Sequence, residues 1–233
     1  MRAFLAFLAC VVLLAAVVGG AEIVARRALD DRVQATAVTV LKQASSDGRG
    51  FATVTADHSG WALPDIGRGT LTGIDAVAAD GELGGLRVDR LTLTAGPIHL
   101  DTREADSVQV VATLGPQAVI DVVETSGGLS GATVAVLAAD TIRVSAILQG
   151  SAVVIDLRLA AEGGGIVALP VSATANGQPL DPASMLPPRL ELLPAASLPG
   201  AVLATGVEAS SGPGGQGAVV DLRFDCNSGC GVG

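Results

Sequence analysis

Few side chains in this sequence could do chemistry, and their spacing decides what that chemistry could be. His58 and His99 are its two histidines, the residues best suited to move a proton near neutral pH. His58 follows Asp57, and an imidazole beside a carboxylate is how a general base is oriented. Around it, however, Phe51, Thr53 and Thr55 alternate with Ala52, Val54 and Ala56 as in a strand. Neighbours in a strand point to opposite faces, so Asp57 and His58 do not work together. His58 is expected at the surface or in a loop. His99, between Ile98 and Leu100, is expected to face away from both. Asp75, Asp80, Glu82 and Asp89 fall in turns or on polar strand faces and read as solvating charges. The run Gly127-Gly128-Leu129-Ser130-Gly131 fits neither a nucleophile elbow nor a phosphate loop, and reads as a turn. No zinc motif or dinucleotide fingerprint occurs. These residues nominate no catalytic group, no metal and no cofactor, and the chain is read as a non-enzyme.

Cys226 and Cys230 enclose Asn-Ser-Gly near the C-terminus. In an exported chain they would close a small disulfide loop; a metal site and two free thiols are the alternatives. A metal site lacks neighbours, since both histidines are far away in sequence. A loop so short adds little stability, because the entropic gain grows with loop length. Trp61, in Gly60-Trp61-Ala62-Leu63-Pro64, is the one tryptophan. It either caps the core, the favoured reading, or sits at a membrane interface or cavity mouth.

The elements that must position these residues begin with an apolar leader. Arg2 is the only charge before Glu22, and residues 3–20 are uncharged and rich in Leu, Val, Ala and Phe. A positive start followed by an apolar run is the secretory pattern, with small residues for cleavage at Gly19, Gly20 and Ala21. A span needs about 20 apolar residues, so a retained anchor is equally open. Either outcome places the rest of the chain outside the cytoplasm: periplasmic, membrane-anchored or secreted. Cys10 lies inside the run and not at its end, which argues against a lipoprotein anchor.

Residues 21–44 read as one helix, with Leu29, Val33, Ala37, Val40, Leu41 and Ala44 recurring every three or four positions. Glu22, Asp30 and Gln34 are among its polar positions. Strands are predicted over 51–57, 70–79, 86–93, 98–100, 108–114, 133–137, 141–149, 152–160, 166–175, 201–209 and 218–224, punctuated by Gly and Asp. A helix over 117–125 opens behind Pro116, and the Pro-rich stretch 179–199 has room for a short one. Asn176-Gly177 marks a tight turn. The expected fold is α+β: a long N-terminal helix packed on an extensive curved antiparallel sheet, with one or two small helices. Residues 1–20 are the leader, 21–225 a single domain, and 226–233 a tail.

Composition narrows the partners. The formal charge is −9 and Lys42 is the only lysine, so no basic footprint for nucleic acid exists. Docking to anionic lipid by charge is disfavoured for the same reason. Aromatic residues make up 2%, too few for sugar platforms or base stacking. The apolar mass is aliphatic, and a helix of Val, Leu and Ala over a Val, Leu and Ile sheet either leaves room for acyl chains or packs solid. Candidate lining residues are Leu29, Val33, Val40 and Leu41 on the helix. On strands they are Leu71, Leu86, Val88, Leu91, Leu93, Val144, Ile155 and Leu157, with Trp61 at the mouth.

The order of these elements resembles the LmeA-like phospholipid-binding family of actinobacterial cell envelopes. The resemblance runs from Ala21-Glu22 in the helix through the Pro/Gly stretch 61–73 and the strand pair and short helix 86–125. It continues through the Asn176-Gly177 turn to Leu198-Pro199-Gly200 and the last hairpin. The chain departs from it at Trp61-Ala62-Leu63-Pro64, where Phe-Pro is frequent, in the stretched hairpin at 211–217, and in the added cysteine pair. The resemblance implies a curved sheet on a long helix, akin to tubular lipid-binding domains. It also implies binding of anionic phospholipid outside the cytoplasmic membrane and a role in maturing mannose-containing envelope glycolipids. It implies no catalytic residues. The membrane, through the N-terminal segment, and phospholipid are thus the expected partners, and no protein partner is identified. A lipid-free envelope scaffold or protein-interaction domain is the alternative.

Overall fold

The computed structural model describes residues 2–44, 50–83, 85–148, 150–184, 186–195, 203–212, 217–226 and 230–231. For residues 2–19, 40, 43, 44, 126, 127, 184 and 231 it describes the backbone alone. Gly19 of the candidate cleavage site is thus described by its backbone alone. The predicted helix stop at Gly48 lies outside the described set, as do residues 196–200 and 213–216, which carry part of the resemblance.

The first helix, α1, spans Arg2–Ala44. It starts well before residue 21 because no proline interrupts the leader, and Gly19-Gly20 costs a helix only about 1 kcal/mol per residue. The chain continues with β1 (Thr53–Ser59), α2 (Ala62–Arg68), β2 (Thr70–Leu71), β3 (Gly73–Leu83), β4 (Leu86–Ala95), β5 (Ile98–His99), β6 (Glu104–Ala105) and β7 (Val108–Leu114). Helix α3 (Pro116–Gly127) leads into β8 (Ser130–Ala138), β9 (Thr141–Leu148), β10 (Ser151–Glu162), β11 (Gly165–Ala175), β12 (Gln178–Leu180) and β13 (Leu190–Leu193). The chain closes with β14 (Leu203–Ser211), β15 (Ala218–Cys226) and β16 (Cys230–Gly231).

The fold is α+β, with antiparallel sheets that stay open. The first sheet runs β1-β3-β4-β7-β15-β14, the second β12-β11-β10-β9-β8 with β13 also on β11, and a small third one β16-β6-β5-β2. After β7 the chain leaves the first sheet, builds the second, and returns as the β14–β15 hairpin beside β7. One register row crosses the whole first sheet: Ala56, Ala76, Leu93, Val110, Phe224 and Ala204. The next row, Thr55, Val77, Thr92, Val111 and Arg223, turns to the other face. This period of two makes one face apolar and leaves the other mixed, with Val77 and Val111 among threonines and Arg223.

Both edges of the first sheet are covered. On the β1 edge, the Gln34 amide donates to the Val54 carbonyl and its oxygen accepts from Ala56 N–H at 2.7 Å. Asp30 accepts from His58 N–H at 3.1 Å. Val54, Ala56 and His58 are alternate residues, so these groups are the outward row that an edge strand leaves unpaired. Beside them, Leu29, Val33 and Ala37 pack on Ala56, Ala76, Ile74 and Leu93, where the two alanines let the helix come close. On the β14 edge, Ala204 N–H donates to Gly164 O and Ala209 N–H to Ala139 O, both in hairpin turns of the second sheet.

The largest core does not lie under α1, where the sequence led us to place it. It lies between the first sheet, α3 and the second sheet, and joins Leu91, Leu114 and Phe224 to Val119, Val123, Val144 and Ile155. A separate cluster of Leu71, Ala95, Ile98, Ala105 and Val108 holds the third sheet, and the Cys226–Cys230 disulfide is buried within it. The cysteine pair thus belongs to β15 and β16, and the structured domain continues past residue 225.

Replacing Gln34 with Ala strips two partners from the β1 edge. The variant is expected to lose about 1–3 kcal/mol of stability by denaturant titration. Thr39→Ala, an exposed change on the same helix, should leave the midpoint unmoved. Amide exchange at Ala56 should rise in the Gln34 variant alone.

Candidate functional site

Two features gather the residues singled out above: the corner around α2 and an apolar pocket behind α3.

The corner is built from β1 onward. Trp61 is the N-cap of α2 and offers no side-chain cap. The first amides are instead held by Glu22 of α1, which accepts from Ala62 N–H at 2.6 Å and Leu63 N–H at 2.9 Å. A carboxylate at a helix N-terminus also meets the positive end of its dipole. Gly69 ends α2 in the left-handed conformation, with φ of 70°.

The inward side of α2 carries Ala62 and Asp65. Asp65, 3% exposed, accepts from His58 Nε2 at 2.9 Å and from Thr72 N–H at 2.8 Å. Arg68 stands 4.0 Å from its other oxygen. His58 is therefore a buried strand residue, 1% exposed, and not the surface or loop residue expected. Its partner is the carboxylate seven positions on, delivered by the turn of α2, while Asp57 points to solvent. Burial alone would push the Asp65 carboxyl up. The hydroxyl and amide of Thr72 and the His58 ring outweigh it and hold the group below its usual value. An ionised carboxylate only accepts, so Nε2 donates in this bond. Among the described residues Nδ1 has no hydrogen-bond partner. Gly60 closes this pocket from above: a Cβ there would stand 2.9 Å from Thr72 and 3.1 Å from the Asp65 carboxylate. Sealed in this way, the pair fastens α2 and β2 to β1 and presents no face to a substrate. His99 makes a similar contact with Asp106 at 3.1 Å, but in solvent.

The outward side of α2 is apolar. Trp61 is 68% exposed, so it does not cap the core. Leu63 and Ile66 are exposed beside it. Ile23 and Val24, next to Glu22 on α1, are exposed as well, and so is Leu100, whose N–H donates to Gly69 O at the end of α2.

The pocket lies between α3 and the two large sheets. Leu86, Val119, Val122, Ile142, Leu157 and Leu222 are among its walls, which are aliphatic throughout. Its free volume is about 20 Å³, room for one water molecule. Of the predicted lining residues, Leu86 and Leu157 stand on its wall, and Leu41, Val88, Leu91, Val144 and Ile155 lie in the surrounding core. Leu29 and Val33 are carried by α1 and pack against β1 and β3, Leu71 belongs to the third sheet, and Leu93 is half-buried where the three clusters meet. The Val40 side chain lies outside the described set. Sequence reasoning did not place Val119, Val122 and Val123 in the wall. The signal was there, because they form the apolar stripe of α3.

Among the described residues, no group of three His, Cys, Asp or Glu side chains converges as metal ligands do. Among the residues whose side chains are described, which leave out 2–19 of α1, no helix is long and apolar enough to cross a membrane. Comparison with known proteins matched no family model, no curated protein and no solved structure.

The depressed Asp65 carboxyl ties stability to pH. Its contribution is complete above 3.8, the ordinary aspartate value, and is lost as pH falls through the lower value of the folded state. Asp65→Asn should therefore be less stable than the parent at neutral pH. The gap between their unfolding midpoints should narrow below pH 3.8, which parallel melts across the acid range would read.

Proposed function

We propose that this chain is an envelope phospholipid-binding protein of the LmeA-like kind, working outside the cytoplasmic membrane and housing an acyl chain between α3 and the two sheets. The observation that carries the reading is the all-aliphatic pocket walled by three elements, with no polar group to reward a hydrophilic ligand. At about 20 Å³ the pocket is too small for an acyl chain, which enters only as α3 moves off the sheets. Such opening suits a short helix flanked by Gly115 and Gly128, its N- and C-caps. Each buried CH₂ returns about 0.8 kcal/mol toward it.

A second reading, a lipid-free envelope scaffold, is favoured by the small volume of the same pocket. The two part on where lipid contacts the chain. Full-length protein in vesicles is offered a phospholipid with a photoreactive group at mid-acyl chain, and labelled peptides are mapped. Labelling within α3, β9 and β10 is expected, and Val122→Phe, which fills the pocket, should remove most of it. Labelling restricted to residues 2–24 would end the lipid-binding reading in favour of the scaffold.

A further inference from the structure

A short helix on a water-facing surface normally turns its apolar side inward. Helix α2 does the reverse: it buries Ala62 and the charged Asp65 and exposes Leu63 and Ile66, with Trp61 at its cap. The inversion is held firmly in place. Glu22 caps the helix from α1, His58 and Thr72 hold Asp65 inside, and Gly60 permits their close approach, since a Cβ there would stand 2.9 Å from Thr72 and 3.1 Å from the Asp65 carboxylate. Single exposed leucines on a surface need no explanation, but a group of them does. Ile23, Trp61, Leu63, Ile66 and Leu100 are exposed on the elements that meet at this corner, with Val24 exposed on the far side of α1.

We infer that this corner is a membrane-seating surface, with α2 and Trp61 lodged in the interfacial layer of the bilayer from which α1 emerges. The position of the apolar leader selects this occupant. Helix α1 is continuous from Arg2, and residues 3–20 are uncharged. As a helix they rise about 27 Å, close to the thickness of a bilayer core. Ile23 and Val24 follow within about one turn, at the depth where headgroups meet acyl chains. Glu22 ties α2 to that same turn, so a leader seated in the bilayer brings Trp61, Leu63 and Ile66 to its surface. Tryptophan is enriched at that depth, where an apolar ring and a polar N–H are both accommodated. Burial drives the seating and charge does not, since the chain carries −9 overall. The inference does not depend on an acyl chain entering the core pocket.

The sequence supplies its own probe, because Trp61 is the sole tryptophan and there is no tyrosine. Full-length protein is reconstituted in phosphatidylcholine vesicles, and Trp61 emission is quenched by iodide from water or by brominated acyl chains from the bilayer. The expected result is strong quenching by bromolipid, little by iodide, and no change at high salt. The pair Leu63→Asp and Ile66→Asp, both at exposed positions, should keep the protein in the vesicle fraction with an unchanged circular dichroism spectrum. In that variant Trp61 should lose most of its bromolipid quenching and become open to iodide. The inference is overturned if wild-type Trp61 is open to iodide and indifferent to bromolipid. It is equally overturned if the protection fades on diluting protein against lipid, which would make the corner a contact between two copies of the chain. Release by salt would also overturn it.

Discussion

The open edge of β1 is the constraint on which much of this molecule turns. A six-stranded sheet that stops at β1 presents a row of unpaired amides and carbonyls, and such a row either binds another strand or must be covered. Here α1 covers it with side chains. Gln34, an amide that both donates and accepts, bridges Val54 and Ala56 as a neighbouring strand would, and Asp30 takes the next amide, that of His58. Rotating the helix by one residue would swing these groups about 100° away from the strand and turn Val33 off its alanine seat. The edge therefore fixes the rotation and the height of α1 together. Once these are set, Glu22, eight residues above Asp30, reaches the first amides of α2. That capping in turn allows a seven-residue helix with no cap of its own to exist and to hold Asp65 inside.

The two longer helices divide the work differently from what a helix-on-sheet pattern suggests. Helix α1 closes an edge and is mostly exposed over residues 20–42, apart from Val40, whose side chain lies outside the described set. Helix α3 fills the space between the large sheets and carries the stripe that completes the main core. Any ligand chemistry in the interior must therefore act through α3. Displacing α1 would expose backbone amides, whereas displacing α3 exposes mostly aliphatic surface that an acyl chain can cover again. On this energetic ground α3, and not α1, is the helix that the proposed opening would move.

Most of the strand pattern was legible because alternation is written locally. The run 108–114 is β7 as observed, 86–93 is β4 short by two residues, and 166–175 is β11 short by one. At Asn176-Gly177 both residues take positive φ, as that pair of residue types suggests. What failed was written at long range. Helix α2 contains Pro64 and Gly67 and begins at Trp61, so no local signal favours it; its cap lies forty residues upstream. Glu22, Asp30 and Gln34 read as solvent-facing because their partners are backbone atoms of a distant strand. His58 was weighed against Asp57, and its real partner becomes its neighbour only when α2 folds. Periodicity placed Leu86 and Leu157 facing inward, but it does not say which layer faces them. The α3 residues opposite could come only from the topology.

Where the leader is retained in the bilayer, as the proposed seating requires, weak contacts suffice at the α2 corner because the leader is then a tether. A handful of half-exposed apolar side chains would hold a free domain to a bilayer poorly, just as one lipid chain makes a marginal anchor and two signals make a stable one. A helix that passes from the leader into the domain without a break changes the arithmetic. Seating becomes an intramolecular step governed by effective concentration, and small contacts then decide orientation without having to provide affinity. The same continuity gives the hydrogen bonds at the corner a use. A flexible linker after residue 20 would let the domain tumble and would waste the patch. A helix pinned to β1 by Gln34 and Asp30, and to α2 by Glu22, passes the tilt of the leader directly to the sheet. The hydrogen bonds that close the edge of the sheet would then also set the angle at which the domain stands on the membrane.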